Sequence, residues 1–467
     1  MKQFTLFNGV ELTTNEKGAF KDISKLRGSL NPKTKVDIDE VYERASRLVT
    51  LVKQLLPQIN HVLIKTPEEL ENVWQEIKRA GIVALDTESD VVGSNPNPFL
   101  DKIAGISVYT GGDNAYYIPI NHHFYMSNVD ARGFVHKIVE ESHKGLKVIM
   151  HNAKYDAQVF YVYAQRTIKM YADTMIASRL LNENERAWGE DNGHYEAGHG
   201  LKYLWNKYCM NFTYSGDSYD DIFSGRKYGT FNPEKVFVYA SLDAVMTLML
   251  WKFQEQYIDS RYKGCKDLGL EAVSQLFFRV EMPVLQYATA MEIRGIGFNQ
   301  DLNKELQHRY EKNILKARND LISKIQPMIE AAKHQISPAR FEKLSRPINM
   351  SSDTQLEILF YDILKLKLSE SVQKQILRKK KKAQKNKDNA VNPNSVGKDA
   401  MAYFVQAYPE YAPLIKELLA YKELEKIYTA FIIGLRDKVN PKTGKIHAGW
   451  NTIGTDTGRF SSKSPNL

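Results

Sequence analysis

Cysteine is nearly missing: Cys209 and Cys265 are the only two in 467 residues, and they lack the paired spacing of a metal knuckle. Their scarcity excludes a disulfide framework and points to a reducing compartment. Long apolar runs are scarce as well. Met1 to Val10 has no signal-like stretch, and no uninterrupted run approaches the ~18 apolar residues of a membrane span. A cytoplasmic protein with no membrane partner is therefore expected. No internal repeat is visible. What remains is an ordinary globular composition, 43% apolar and 25% charged, in a chain long enough for about two to four domains. The 64 basic residues outnumber the 55 acidic ones, leaving +9, a modest excess that favours a polyanionic partner without proving one.

Residues 1–60 mix Lys, Asn and Thr with one stretch of helical period, Val36 to Leu56, and read as an extension without an evident role. Compact α/β structure is expected from His61. Val62-Leu63-Ile64 reads as a strand, and Pro67 to Ala80 as a helix opened by Thr66 with Glu69 three residues on. Gly81-Ile82-Val83-Ala84-Leu85-Asp86 is a continuous apolar run, as in a strand buried on both faces. Ile103–Tyr109, Ala115–Ile120 and Val148–Met150 are further strand candidates, interleaved with helices as in an α/β domain of mixed sheet. Beyond Leu270 the pattern changes to long helices, Leu270 to Arg294 and Asp301 to Ala332. Among them Arg378-Lys379-Lys380-Lys381-Lys382 opens a basic run extending to Lys387 without an acid. A solvated loop and a phosphate-contacting tip both fit such a run.

Four carboxylates arrive in three short segments in order. Asp86 and Glu88 are two apart at the end of a strand and share its face. Asn152 and Asp156 are four apart where a strand runs into a helix, expected on one face of its first turns. Tyr239 and Asp243 are four apart on a helix from about Pro233 to Gln256. Such acids cannot share a site without cations, because repulsion and desolvation would protonate some of them. All-oxygen ligation suits Mg²⁺ or Mn²⁺, whereas zinc would call for His and Cys. Two such ions can activate water and neutralise a departing 3′ oxygen without any nucleophilic side chain. Each segment alone is commonplace; their joint order is not.

Asp86-Thr87-Glu88, Asn152 to Asp156 and Tyr239 to Asp243 resemble the three exonuclease motifs of the DEDD superfamily, in its tyrosine branch. Asp173-Thr174-Met175 and Gly200 to Leu204 are similar to segments of the proofreading domain of family A DNA polymerases. The resemblance implies an RNase H-like 3′-5′ exonuclease domain with two Mg²⁺ or Mn²⁺ ions. In it Asp86 bridges both ions, Glu88 and Asp243 complete the shell of the first ion, and Asp156 holds the second ion mainly through water. Tyr239 orients the attacking water, and Asn152 shapes the site.

Arg279 to Phe298, Asn349 to Leu356 with Ile358-Leu359-Phe360, and Tyr421 to Lys426 are similar to the thumb region of the same family. Thr455-Asp456-Thr457-Gly458-Arg459-Phe460-Ser461-Ser462-Lys463-Ser464-Pro465-Asn466-Leu467 is similar to the signature that opens its palm, with Phe460 where Leu is usual. This implies an extension over 1–60, the exonuclease domain over 61–265, a mostly helical thumb over 266–445 and the start of the palm over 446–467. It also implies DNA as partner, a single-stranded 3′ end and a primer-template duplex. Arg378 and Lys379 to Lys382 would contact backbone phosphate, and Arg459 the primer terminus from the minor groove. The family's polymerase metal ligands lie downstream of Leu467, so this polypeptide alone is not expected to extend a primer. A second chain supplying palm and fingers, or splicing, would complete it; interrupted polymerases of this kind suggest a bacteriophage. The competing readings are a non-catalytic DNA-binding subunit of a split polymerase and a free-standing RNase-type exonuclease.

Overall fold

In a computed structural model, the residues described are 3–5, 11–13, 37–92, 96–123, 125–189, 194–210, 219–383, 394–452 and 459–466. The side chains of 186–189, 194–197, 210, 221 and 379–383 also lie outside the description, as do those of the short ribbon formed by 3–5 and 11–13. The chain separates into two compact units, Met1–Gly295 with Ala448–Leu467, and Ile296–His447. The expected boundary at 265 falls inside the first unit.

The first unit is built on a six-stranded sheet: β1 Asn60–Leu63, β2 Ile82–Asp90, β3 Lys102–Tyr109, β4 Asn114–Pro119, β5 Lys147–Met150 and β6 Ala172–Asp173. Their spatial order is β1-β4-β3-β2-β5-β6. The β4-β3-β2 meander is antiparallel, while β1 pairs with β4, and β5 with β2 and β6, in parallel. This is the mixed α/β, RNase H-like sheet expected from the sequence, and β2 is central to it. Val83, Ala84 and Leu85 are fully buried, as a continuous apolar strand covered on both faces requires.

Helices α1 Ile38–Leu55, α2 Pro67–Ala80, α3 Ala131–Ser142, α4 Lys154–Ala164, α5 Thr174–Leu181, α6 Leu201–Trp205, α7 Pro233–Ile258 and α8 Met282–Arg294 surround the sheet. α2 shows how local sequence sets an element. The Thr66 side chain accepts from Glu69 N–H, Glu69 reaches back to Thr66 N–H, and Gly81 at φ 64° ends the helix where β2 begins. α7 is apolar around most of its circumference because it packs across β1 to β5 in the core. By length and hydropathy α7 passes the test for a membrane span, which amends the expectation that nothing in the chain does. Its most apolar window is 72% buried within the protein, so core packing accounts for its composition.

α1 lies within the stretch read as an extension, yet Val41, Ala45, Leu48 and Val52 pack into the core against α7. Tyr42 Oη accepts from Asn232 N–H at 3.0 Å, bracing the residue whose side chain caps α7. At the other end, buried Glu292 of α8 accepts from Lys154 Nζ and Gln158 Nε2 of α4, each at 2.5 Å. It also accepts from Trp450 N–H at 2.6 Å, on β7 Gly449–Asn451. One carboxylate thereby ties α8 and β7 to the helix that carries Asp156.

The second unit is helical. α9 Gln300–Ala331, α10 Glu370–Ala383, α11 Lys398–Ala407 and α12 Ala412–Ile427 are its main helices. Leu321, Ile325 and Ile329 of α9 meet Ile415 and Leu418 of α12 with Phe360 and Phe404 in a separate core.

Candidate metal centre

β2 delivers Asp86 and Glu88 to one face, and a register shift after Glu88 marks where the ladder with β3 becomes irregular. Their partners on β3 are Ser107 and Gly105. Glycine is required there: a Cβ on Gly105 would lie 2.3 Å from the Tyr117 phenol, which leaves no room for any side chain. α7 crosses the sheet and brings Tyr239 and Asp243, one turn apart, to the same place. Ligand oxygens of Asp86, Glu88 and Asp243 all lie within 4.8 Å of one another.

Asp156 sits in the first turn of α4, outside that triad. β5 pairs with β2 only as far as Ala84, so the next outward-facing N–H of β2 needs another acceptor. Asp156 Oδ1 provides it, accepting from Thr87 N–H at 3.0 Å and from Thr87 Oγ1 at 2.6 Å. Asp173, fully buried, positions α4 from below. Its carboxylate accepts from the N–H groups of Asn152 and Ala153 at 3.1 and 2.8 Å, and from those of Met175 and Ile176 at 2.8 and 3.4 Å. One acid therefore serves the starts of two helices.

Asn152 departs from the sequence expectation. The helix begins at Lys154, and Asn152 lies before it with φ 55°, exposed, in the left-handed region that Asn tolerates. It does not share a helical face with Asp156. The four-residue spacing is real, but the strand-to-helix turn uses up its first residues.

Burial and mutual repulsion dominate the electrostatics. Burial, then the charges of Asp156, Asp243 and Glu88, hold the Asp86 carboxyl well above its ordinary range. Glu88 is pushed up to about 8, by burial first and Asp243 next. Burial also raises Asp156, to about 7, against the two Thr87 hydrogen bonds that favour its charged form. Asp243 is raised by burial, and its Oδ1 is enclosed without any hydrogen-bond partner. Converging carboxylates, an orphaned buried oxygen, and no Cys or His in the cluster together fit a hard divalent cation.

Tyr239 is backed by the rings of Phe223, Tyr219 and Tyr228, with centroids 5.0, 6.1 and 6.3 Å away. Burial and the nearby carboxylates hold its phenol above the ordinary range, so the hydroxyl stays protonated. Behind this wall His122 bonds Phe231 O through Nδ1 at 2.8 Å and Tyr117 Oη through Nε2 at 2.9 Å. Burial lowers that imidazole to about 4, so it is neutral, donating from Nδ1 and accepting at Nε2.

Lys202 on α6 is a site residue to which the sequence analysis gave no role. Its Nζ donates to Tyr239 Oη at 2.8 Å and lies 4.1 Å from the ring centroid. Its charge also opposes the upward shifts of Asp86, Glu88 and Asp243. The resemblance of Gly200 to Leu204 to a proofreading segment marks the stretch, but the contact with Tyr239 is supplied only by the fold. Arg378 is exposed on α10 of the second unit, and Arg459 is exposed in the first. The side chains of Lys379 to Lys382, like residues 453–458 of the terminal signature, lie outside the described residues.

Comparison with known proteins gives the arrangement a lineage. A family model for a 3′-5′ exonuclease matches residues 61–258, and one for DNA polymerase family A matches 319–467. DNA polymerase I of Chloroflexus aurantiacus is 25% identical over 410 residues, covering 87% of this chain and 37% of that protein. DNA polymerase I of Synechocystis sp. is 25% identical over 429 residues, covering 90% and 36%. The Borreliella burgdorferi enzyme of the same name is 23% identical over 405 residues, covering 86% and 37%. The chain thus spans little more than a third of the length of these relatives. Among solved structures, the POL domain of Pol1 from M. smegmatis, in complex with DNA primer-template and dNTP, matches with a TM-score of 0.55 at 17% identity. That match covers 87% of this chain and 55% of the other, and it shows a shared fold.

Proposed function

Because this chain belongs to the family A DNA polymerases and carries their 3′-5′ exonuclease segment, we propose that residues 61–265 remove nucleotides from the 3′ end of a DNA strand, using two Mg²⁺ or Mn²⁺ ions. The observation that carries this reading is the meeting of Asp86, Glu88 and Asp243 around the unpartnered Asp243 Oδ1. Asp86, Glu88 and Asp243 would hold the ions together with Asp156, whose Oδ1 already accepts from Thr87 N–H and Oγ1. When bound, the ions make a water nucleophilic at neutral pH and neutralise the charge that develops on the phosphate and the leaving 3′ oxygen.

The protein's own part is to orient. Tyr239, neutral and buried, presents an O–H to the attacking oxygen, and Glu88 offers a carboxylate oxygen to the proton that oxygen carries. The wall of Tyr219, Phe223 and Tyr228 fixes the Tyr239 ring. Attack breaks the bond between phosphorus and the 3′ oxygen, releasing a nucleoside 5′-monophosphate and leaving a new 3′ hydroxyl. Asn152, exposed beside α4, would meet the incoming strand. In the same reading the helical region 266–445 is the thumb, gripping duplex phosphate through Arg378 and Lys379 to Lys382. Residues 446–467 open the palm, with Arg459 at the primer terminus. The test is hydrolysis of a 3′-labelled single strand by the full chain with Mg²⁺ or Mn²⁺. Shortening one nucleotide at a time from the label is expected, and an inert strand would reject the reading.

A further inference from the structure

We propose that Lys202 is a positioning residue that sets the direction of the Tyr239 hydroxyl proton and does not bind the substrate. The inference rests on the exonuclease reading above. A lysine ammonium has three protons to donate and no acceptor. One of them goes to Tyr239 Oη at 2.8 Å and occupies a lone pair of the phenol oxygen. The phenol proton must then point away from Nζ. The aromatic wall closes the ring side of Tyr239, whereas the carboxylates of Asp243, Glu88 and Asp86 are the charges that act on its hydroxyl. The free direction for the proton is therefore toward the carboxylate cluster, where the attacking oxygen has to lie.

Two interactions, not one, fix the lysine. Nζ stands 4.1 Å from the Tyr239 ring centroid, a cation–π distance, while also donating to the oxygen. Its backbone is anchored as well: Leu204 and Trp205, two and three residues on, are fully buried in the core of the first unit. Lys202 itself is only partly buried. That charge opposes repulsion among Asp86, Glu88 and Asp243. Lysine thus joins the nucleophile-orienting tyrosine to the metal-holding acids without being a ligand.

The test compares full-length Lys202→Met, Lys202→Arg, Tyr239→Phe and the Lys202→Met/Tyr239→Phe double variant, with Asp86→Ala as reference. Each is assayed on a 3′-labelled single strand with Mn²⁺, separating kcat from KM. Lys202→Met should lower kcat by ~10–100-fold, the range seen when outer partners of a metal site are removed, and leave KM unchanged. Lys202→Arg should recover most of the loss, and the double variant should be no slower than Tyr239→Phe alone. Lys202→Gln, whose amide stops short of Oη, covers the case in which Lys202→Met does not fold; the same loss in kcat is expected. A native kcat in either variant, a loss expressed in KM, or additive losses in the double variant would overturn the assignment. Should Asp86→Ala retain native activity, the exonuclease reading fails; should it be inactive while Lys202→Met is native, only the role of Lys202 fails.

Discussion

Asp243 Oδ1 is the atom at which the energetic tension of the site is easiest to see. A buried acceptor without a partner costs about 1–3 kcal/mol, and more when charged, yet the fold encloses it beside two more acids. Without metal, Glu88 binds its proton up to about pH 8 and Asp156 up to about 7. In the unfolded chain both release theirs at about pH 4. Between those limits the native state holds more protons than the unfolded one, so stability falls as pH rises. In chelator, the thermal midpoint should therefore drop steadily from about pH 5 to pH 8, and excess Mn²⁺ should restore it most at the alkaline end. A midpoint independent of pH across that window would contradict the coupling. Asp243→Asn removes one charge from the cluster. In chelator at pH 8 it should raise the midpoint by ~1–2 °C, the shift that about 1 kcal/mol makes in a unit of roughly 300 residues, and it should lose the response to Mn²⁺. At this scale the sequence is legible where a local period survives into the fold. Asp86 with Glu88, and Tyr239 with Asp243, are brought to one face because strand and helix preserve spacings of two and four. Asn152 escapes that logic because the same spacing of four straddles a left-handed turn. The segment of Lys202 is marked by its resemblance, but the role of the lysine is not legible because its partner is 37 residues away along the chain and adjacent only in space.

Elements reach the site through few and specific connections. α4 has no side-chain cap of its own, and Asp173 takes that part while capping α5 as well. Asp173→Ala should cost about 1–2 kcal/mol for each helix start it leaves bare, read as a lower urea midpoint at unchanged slope. It should also slow hydrolysis, because Asp156 rides on the first turn of α4; an unaltered urea midpoint would count against the double cap. α2 is readable to the residue because its stop and start signals are all local, from Thr66 to Gly81. α1 is readable as a helix but not as part of the core. Its apolar stripe says that something covers it, and only the tertiary fold says that α7 does. The apolarity of α7 has the same origin: a helix packed across five strands has little polar surface to keep.

For the whole molecule, the two compact units carry different physics. The first encloses the acidic cluster, whereas the second contains Arg378 and the lysines that give the chain much of its +9 charge. If those lysines meet duplex phosphate, changing Lys379 to Lys382 to Gln should reduce the salt slope of primer-template binding by ~0.9 for each phosphate no longer neutralised. Exonuclease cleavage of a short single strand should be unaffected by the same change. An identical slope would separate the basic run from DNA. The mixed sheet is legible from alternating strand and helix patterns, and the helical second unit from long uninterrupted period. The parting of the units at Gly295 is not, because α8 continues the helical pattern while Glu292 fastens it to α4 and Trp450. The central claim is that Asp86 and its neighbours hold metal for 3′-end hydrolysis. Its most direct test is to give a 3′-labelled DNA single strand to the full chain and to Asp86→Ala with Mg²⁺ or Mn²⁺. Stepwise shortening by the native chain and none by the variant is the expected result; equal shortening by both, or none by either, would contradict it.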